Sequence, residues 1–372
     1  MSFEPFAMER WQSTWENRVR YNLSESGVHP LSVAELATLA GRRLDDLADH
    51  RLGYPQSNGS EPLRTAIAAL YPGAKADNVL VTNGSAEANF CACWQLIQPG
   101  DRVAIVLPTY MQTWGLARTF GAQIAPIWLR EEAGWQPDPA EIDVAIAPGT
   151  RLVVVTNPNN PTGAVLAEPL LGRIVQRAAA AGAWLLSDEV YQGAERELGV
   201  TPSLWGRTER VLVTNGLSKA YGLPGLRIGW CVAPPALVAE LWARKDYTTI
   251  GPSVVSDWLA TQALAPGVRD QILERTRSIL RANWPVLERW LAATGEFQFR
   301  APDAGAICYA RYRSTVNSSA LAERLRRSQS VLVVPGDQFG MDHYIRFGFG
   351  PAAAELEAAL SRVGETLKSL NG

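Results

Sequence analysis

The feature that most constrains this chain of 372 residues is a series of short, unbroken apolar runs separated by longer amphipathic stretches. Val79–Thr82, Val103–Leu107, Leu152–Thr156, Trp184–Ser187 and Val211–Thr214 lack polar alternation, which suits strands covered on both faces. Between them lie helix-compatible segments at Ala86–Ile97, Met111–Phe120, Glu168–Ala181 and, less regularly, Thr201–Arg210. Strand and helix in alternation predict an α/β fold with a mostly parallel central sheet, assigned here to a large domain over residues 46–247. After Lys245 the texture changes. Ser253–Leu264 and Gly267–Ala293 predict long helices, followed by strands at Ala306–Tyr312, Val331–Val334 and Tyr344–Phe349 and a last helix over Pro351–Leu370. Residues 248–372 are therefore expected to form a smaller α+β domain, with residues 1–45 packed against it as an N-terminal arm.

A hydrophobic content of 47% supplies a core for both units. With 35 basic and 37 acidic residues, neither nucleic acid nor an anionic membrane surface is an expected partner. The N-terminus has no basic segment leading into an apolar one, and no apolar run approaches the roughly 18 residues that span a bilayer, so a cytoplasmic location is expected. Cys91, Cys93, Cys231 and Cys308, with His29, His50 and His343, show no zinc-ligand spacing, and no metal site is expected.

Ligands of open α/β sheets gather at the carboxyl ends of strands, and each of the five runs stops at a chemically pointed sequence. Asn83-Gly84-Ser85-Ala86-Glu87 turns straight into a helix, whose free N–H groups and dipole suit a phosphate, though the same turn also suits a plain N-cap. Tyr110 follows the second run and is either a stacking platform for a flat ligand or a rim aromatic. In Asn157-Pro158-Asn159-Asn160-Pro161-Thr162-Gly163, two prolines and a glycine shape a turn that presents Asn160. The fourth run delivers Asp188 at its end and Tyr191 three positions later. A buried carboxylate needs a cation, and a protonated pyridine nitrogen is one; a strand-end cap is the competing reading. After the fifth run comes Ser218-Lys219-Ala220-Tyr221-Gly222-Leu223-Pro224-Gly225-Leu226-Arg227, a lone lysine with a serine and an arginine able to grip the same anion. An amine beside a fixed cation is expected to lose charged character and gain nucleophilicity.

These strings, in this order, resemble fold-type I pyridoxal-phosphate enzymes of the class I/II aminotransferase family, and the resemblance covers nearly the whole chain. It extends upstream to Tyr54-Pro55, with Gly59, Leu63 and Arg64, and downstream to Tyr344-Ile345-Arg346-Phe347-Gly348. The resemblance implies that Lys219 binds pyridoxal 5'-phosphate covalently and moves a proton between substrate Cα and cofactor, through an external aldimine and a quinonoid. It implies that Asp188 holds the ring nitrogen, Asn160 and Tyr191 the ring oxygen, and Tyr110 the ring face. Ser85, Ala86, Ser218, Arg227 and the neighbouring subunit's counterpart of Tyr54 would hold the phosphate, and Arg346, with Asn160, the substrate. A homodimer with its site at the interface is implied as well.

The chain departs from the family near its start. Where many members bring an apolar residue and a glycine to the substrate, this sequence reads Tyr21-Asn22-Leu23-Ser24-Glu25-Ser26-Gly27-Val28-His29-Pro30, with Gly27, Glu25 and His29 as candidate substrate contacts. This polar string is similar to the capreomycidine synthase and L-enduracididine cyclase branch, which eliminates a leaving group from a hydroxylated arginine and closes a guanidino ring. Amino-group transfer from an α-amino acid to a 2-oxo acid is the principal expectation, and ring closure the alternative. A third, non-catalytic reading is an effector-binding domain of a regulator; the intact Lys219 and an aminotransferase pattern that begins almost at residue 1 argue against it.

Overall fold

In the computed structural model, which describes residues 4–48, 50–197 and 199–371, the apolar runs become strands because alternate side chains enter two different cores. Ala104, Val106, Val153, Val155, Leu185 and Val213 pack on one face, and Val103, Ile105, Leu152, Val154, Leu186 and Leu212 on the other. Period-2 geometry with both faces buried leaves no place for polar alternation.

The first strand, β1 (Tyr21–Asn22), stands apart from the large sheet. The large sheet contains β2 (Val79–Asn83), β3 (Arg102–Leu107), β4 (Gln123–Arg130), β5 (Gln136–Pro137), β6 (Thr150–Thr156), β7 (Trp184–Asp188), β8 (Val211–Gly216) and β9 (Ile228–Val232). Their order is β2-β9-β8-β7-β6-β3-β4-β5. The pairs from β8 through β4 are parallel, whereas β9 runs antiparallel to both neighbours and β5 antiparallel to β4. The chain leaves β3 toward β4 and returns on the other side at β6, so the strand order switches direction between β3 and β6, where such sheets form their ligand crevice. The apolar-run criterion missed β4, which alternates exposed and buried residues and contains Pro126, and β9, which follows directly on a glycine-rich loop.

A second, antiparallel sheet of β10 (Phe297–Gln298), β11 (Ile307–Tyr312), β13 (Val334–Pro335) and β14 (Tyr344–Gly348) has the order β10-β11-β14-β13. β1 pairs in parallel with β12 (Val331–Leu332), Leu23 N–H donates to the Leu332 carbonyl, and Trp11 Nε1 donates to the Val333 carbonyl. The N-terminal segment is thereby tied to the smaller sheet.

The expected helix over Thr201–Arg210 is absent. Pro202 contributes no N–H, and two buried carboxylates take the backbone donors a helix would use: Thr201 N–H donates to Glu195 and Leu204 N–H to Glu189, each at 2.8 Å. No helix among the described residues is long and apolar enough to cross a membrane.

Candidate active site

A cavity of about 380 Å³ opens at the carboxyl ends of β2, β3, β6, β7 and β8. Ser85, Ala86, Tyr110, Asn160, Asp188, Tyr191, Ser218, Lys219 and Arg227 line it from the large sheet, Arg346 from β14, and Glu25 from the N-terminal segment. Residues as distant in sequence as Ser85 and Arg227 thus meet, because these five strands run in one direction and all end on one side. Thr109 and Thr156 hydroxyls, 2.9 Å apart, tie the ends of β3 and β6 together beneath it.

One end of the cavity is built for an anion. The helix Ser85–Leu96 begins after Gly84, which has no side chain to take the first-turn N–H groups. The Arg227 guanidinium lies against Gly84 and within 3.4 Å of Ser218 Oγ. This approach requires a glycine on the neighbouring strand: a Cβ at Gly229 would overlap Ser85 N and the Gly84 carbonyl carbon. Gly229→Ala should therefore displace the turn and weaken phosphate binding by roughly tenfold or more, an effect of about 1.4 kcal/mol, measured as the pyridoxal-phosphate Kd by fluorescence titration.

The middle of the cavity holds Asp188, only 5% exposed. Asn89 Nδ2 donates to it at 3.0 Å and Val190 N–H at 3.2 Å, while Thr214 Oγ1 donates to Asn89 Oδ1 at 2.8 Å and sets which way that amide faces. No Lys, Arg or His among the described residues forms an ion pair with Asp188. Burial pushes its carboxyl above the ordinary value, although both hydrogen bonds pull the other way. A buried carboxylate with amide partners alone fits a ring N–H⁺.

At the far side sits Arg346, 1% exposed. NH1 donates to Asn160 Oδ1 at 2.8 Å, NH2 donates to the Ser24 carbonyl, and buried Nε has no partner. A buried guanidinium held by neutral acceptors, with an idle donor, fits a ligand carboxylate. Because Asn160 accepts from Arg346 through Oδ1, its amide nitrogen is the end left for a ligand.

The Lys219 amine does not behave as the sequence suggested. Its Nζ donates to Glu25 Oε1 at 2.7 Å. Burial works against the ammonium, yet Glu25 and Tyr191 outweigh it and raise the lysine above its ordinary value. Burial likewise works to raise Glu25, but the Lys219 charge and hydrogen bond, with the N–H groups of Gly27 and Ser26, bring it down to about 2. The expectation that Lys219 loses charge beside Arg227 is corrected: the controlling neighbour is a carboxylate from a distant segment.

Three candidates lie outside the cavity lining. His29 is exposed, and its Nδ1 is 3.1 Å from the Gly350 carbonyl, outside the cavity lining. Gly27 packs its backbone on that of Ser218 and Lys219, with room for a Cβ only at 3.3 Å from the Ser218 carbonyl oxygen. Tyr54 is 93% exposed. Conversely, Glu9, Gln12, Glu16 and Ser26 line the cavity without having been singled out, and Asn89 escaped notice beneath it. Glu9 and Gln12, three apart on the helix Ala7–Trp15, were legible as one helical face, but nothing local shows that this face turns inward.

The fold and the site, an anion cradle, an amine, a buried carboxylate and a buried guanidinium at one sheet edge, define a fold-type I pyridoxal-phosphate-dependent enzyme. The family model for aminotransferase class I and II matches residues 27–363, and the chain belongs to that family. It is 35% identical over 366 residues to a capreomycidine synthase of Streptomyces vinaceus, spanning 97% of this chain and 93% of that protein. Among solved structures, a PLP-dependent aminotransferase from Streptococcus suis superposes with a TM-score of 0.94 at 32% identity, covering 100% of both chains. The PLP-dependent cyclase OrfR superposes with a TM-score of 0.92 at 29% identity, covering 99% of this chain and 98% of that one.

Proposed function

We propose that the protein uses pyridoxal phosphate to act on an α-amino acid with a cationic side chain, and that the reaction is loss of a hydroxyl with closure of a guanidino ring. The observation that carries this reading is the acidic wall of the cavity: Glu9 and Glu16 join Glu25 along one side. Burial raises Glu16, and the charges of Glu25 and Glu9 raise it further, so the three carboxylates repel one another. A guanidinium relieves that repulsion. The likeness to capreomycidine synthase and to a PLP-dependent cyclase supports the same reading. In balance, one C–O bond breaks, one C–N bond forms to a guanidino nitrogen, and water leaves.

Pyridoxal phosphate, when bound, would supply an electron sink for the substrate Cα–H bond. The chain's residues would do the rest: Arg227, Ser218 and the start of the helix Ser85–Leu96 would hold the phosphate, Asp188 would keep the ring nitrogen protonated, Arg346 would hold the substrate carboxylate, and Lys219 would move the proton at Cα. Amino-group transfer is the second reading, favoured because Lys219, Asp188 and Arg346 are also the groups that reaction needs. A cytoplasmic homodimer, divided into a large domain over 46–247 and a small one over 1–45 and 248–372, completes the proposal. Support for the dimer comes from exposed Leu52 and Tyr54, whose segment packs at Ser57 against Gly251, next to exposed Tyr247 and Ile250.

The test supplies arginine, 3-hydroxyarginine, whose hydroxyl sits on the carbon next to Cα, 4-hydroxyarginine, alanine and aspartate to the holoenzyme. A ring product one water lighter than hydroxyarginine is expected. A keto acid from alanine or aspartate, with the amino form of the cofactor and no ring product, refutes ring closure. Glu9→Gln with Glu16→Gln should raise KM for the cationic substrate by roughly ten- to a hundredfold, since hydrogen bonds to charged groups are worth about 1.5–3 kcal/mol.

A further inference from the structure

Four consecutive residues together touch three working residues of the site, Arg346, Lys219 and Tyr191. The Ser24 carbonyl accepts from Arg346, Glu25 pairs with Lys219, Ser26 Oγ accepts from the Tyr191 hydroxyl at 2.8 Å, and Gly27 lies on the Lys219 backbone. This strap cannot slide. Gln12 Nε2 donates to the Ser24 carbonyl at 2.8 Å from one side, and on the other the Glu25 backbone rests on Gly348, where a Cβ would overlap the Glu25 carbonyl oxygen. Within it, Ser26 N–H (2.8 Å) and Gly27 N–H (3.0 Å) donate to the same Oε1 that receives Lys219. The carboxylate is therefore fixed by its own segment, at hydrogen-bond distance from the amine.

We propose that Glu25 is a further catalytic residue: it captures the free Lys219 amine as an ammonium, and so sets when that amine can attack the cofactor or take a proton. The proposal rests on the reading of Lys219 as the cofactor-bound amine. When the free amine takes the substrate Cα proton, the C–H bond breaks, its electron pair stays with the substrate, and an N–H bond forms at Nζ. Glu25 then holds the resulting ammonium in an ion pair and keeps the proton at Lys219. Other charged or titratable groups line the cavity with the pair: Glu9 from the first helix and Glu16 just past its end, Tyr110 after β3, Asp188 and Tyr191 at the end of β7 and just beyond it, Arg346 from β14, and Arg227. None of these is within ion-pair distance of Lys219 Nζ; Glu25 is. Its action is therefore specific and removable.

The test strips the protein of cofactor with hydroxylamine, checks folding by circular dichroism at each pH, and follows the rate of recapture of added pyridoxal phosphate in its visible band from pH 6 to pH 11.5, a window that extends past the ordinary lysine value. Glu25→Gln should move the pH midpoint of recapture downward, and a midpoint lower by about one on the pH scale should make the reaction at neutral pH about tenfold faster. Glu25→Asp, which keeps the charge, should remain near the parent. An unchanged midpoint in Glu25→Gln, or an equal displacement in both variants, overturns the role assigned to Glu25. Failure of the parent protein to capture pyridoxal phosphate at all overturns the cofactor reading, and this proposal with it.

Discussion

Lys219→Ala is expected to abolish the visible band of the cofactor-bound protein and to cut turnover by roughly 10⁴-fold or more, the upper part of the range for losing a positioned general base. The size follows from two roles in one nitrogen. Nζ is the only lysine nitrogen among the residues lining the cavity, so no other amine there can replace it as nucleophile. It is also the proton carrier nearest the substrate Cα in the proposed arrangement. The phosphate cradle does not include Lys219, so pyridoxal phosphate should still bind, noncovalently, and a fluorescence titration separates the two effects. Retention of the visible band and of turnover in this variant sinks the assignment of the site.

Asp188→Asn is the second large effect, and its signs differ between the cofactor-free and the loaded protein. Without a cation, buried Asp188 holds its proton more tightly than in the unfolded chain. From about pH 4 upward, the ordinary range for an aspartate, the folded protein keeps a proton that the unfolded chain releases, so stability falls as pH rises through that window. Asparagine has no proton to lose and removes this dependence. The cofactor-free variant should therefore melt at or above the parent temperature near pH 7, by calorimetry or circular dichroism. In the loaded protein the balance reverses: the neutral amide leaves the ring nitrogen without its counter-charge, and the pull on the Cα–H bond weakens. Turnover should fall by roughly a hundred- to a thousandfold, the scale for deleting one preorganised electrostatic partner. Turnover within a factor of a few of the parent would remove Asp188 from the ring nitrogen.

Much of the fold was legible because burial on both faces of a parallel strand writes itself into sequence as an unbroken apolar run. The same runs end at the site, so Ser85, Tyr110, Asn160, Asp188 and Lys219 could be found by reading one or a few residues past each. Thr201–Arg210 misled because its backbone donors are claimed by Glu189 and Glu195, side chains whose inward direction no local pattern records. β4 was missed for a different reason: it is half-exposed, interrupted by Pro126 and bounded by Gln123 and Arg130, so it lacks the uninterrupted β-branched run of the fully buried strands. His29 misled by adjacency, since a residue four positions from Glu25 need not share its surroundings once the chain turns.

By itself the sequence determined the alternating α/β architecture, the order of the chemically pointed strand ends, and a set of residue types that suits pyridoxal phosphate. Those are local properties: an apolar run, a glycine turn, a carboxylate at the end of a strand. The tertiary structure decided what surrounds them. It brought Glu9, Glu16 and Glu25 from the first 25 residues into the cavity that Asp188 also lines, and it placed Glu25 2.7 Å from a lysine 194 positions away. It thereby gave the cavity a set of carboxylates and raised the lysine above its ordinary value, because in a half-buried site the nearest opposite charge outweighs a more distant like one.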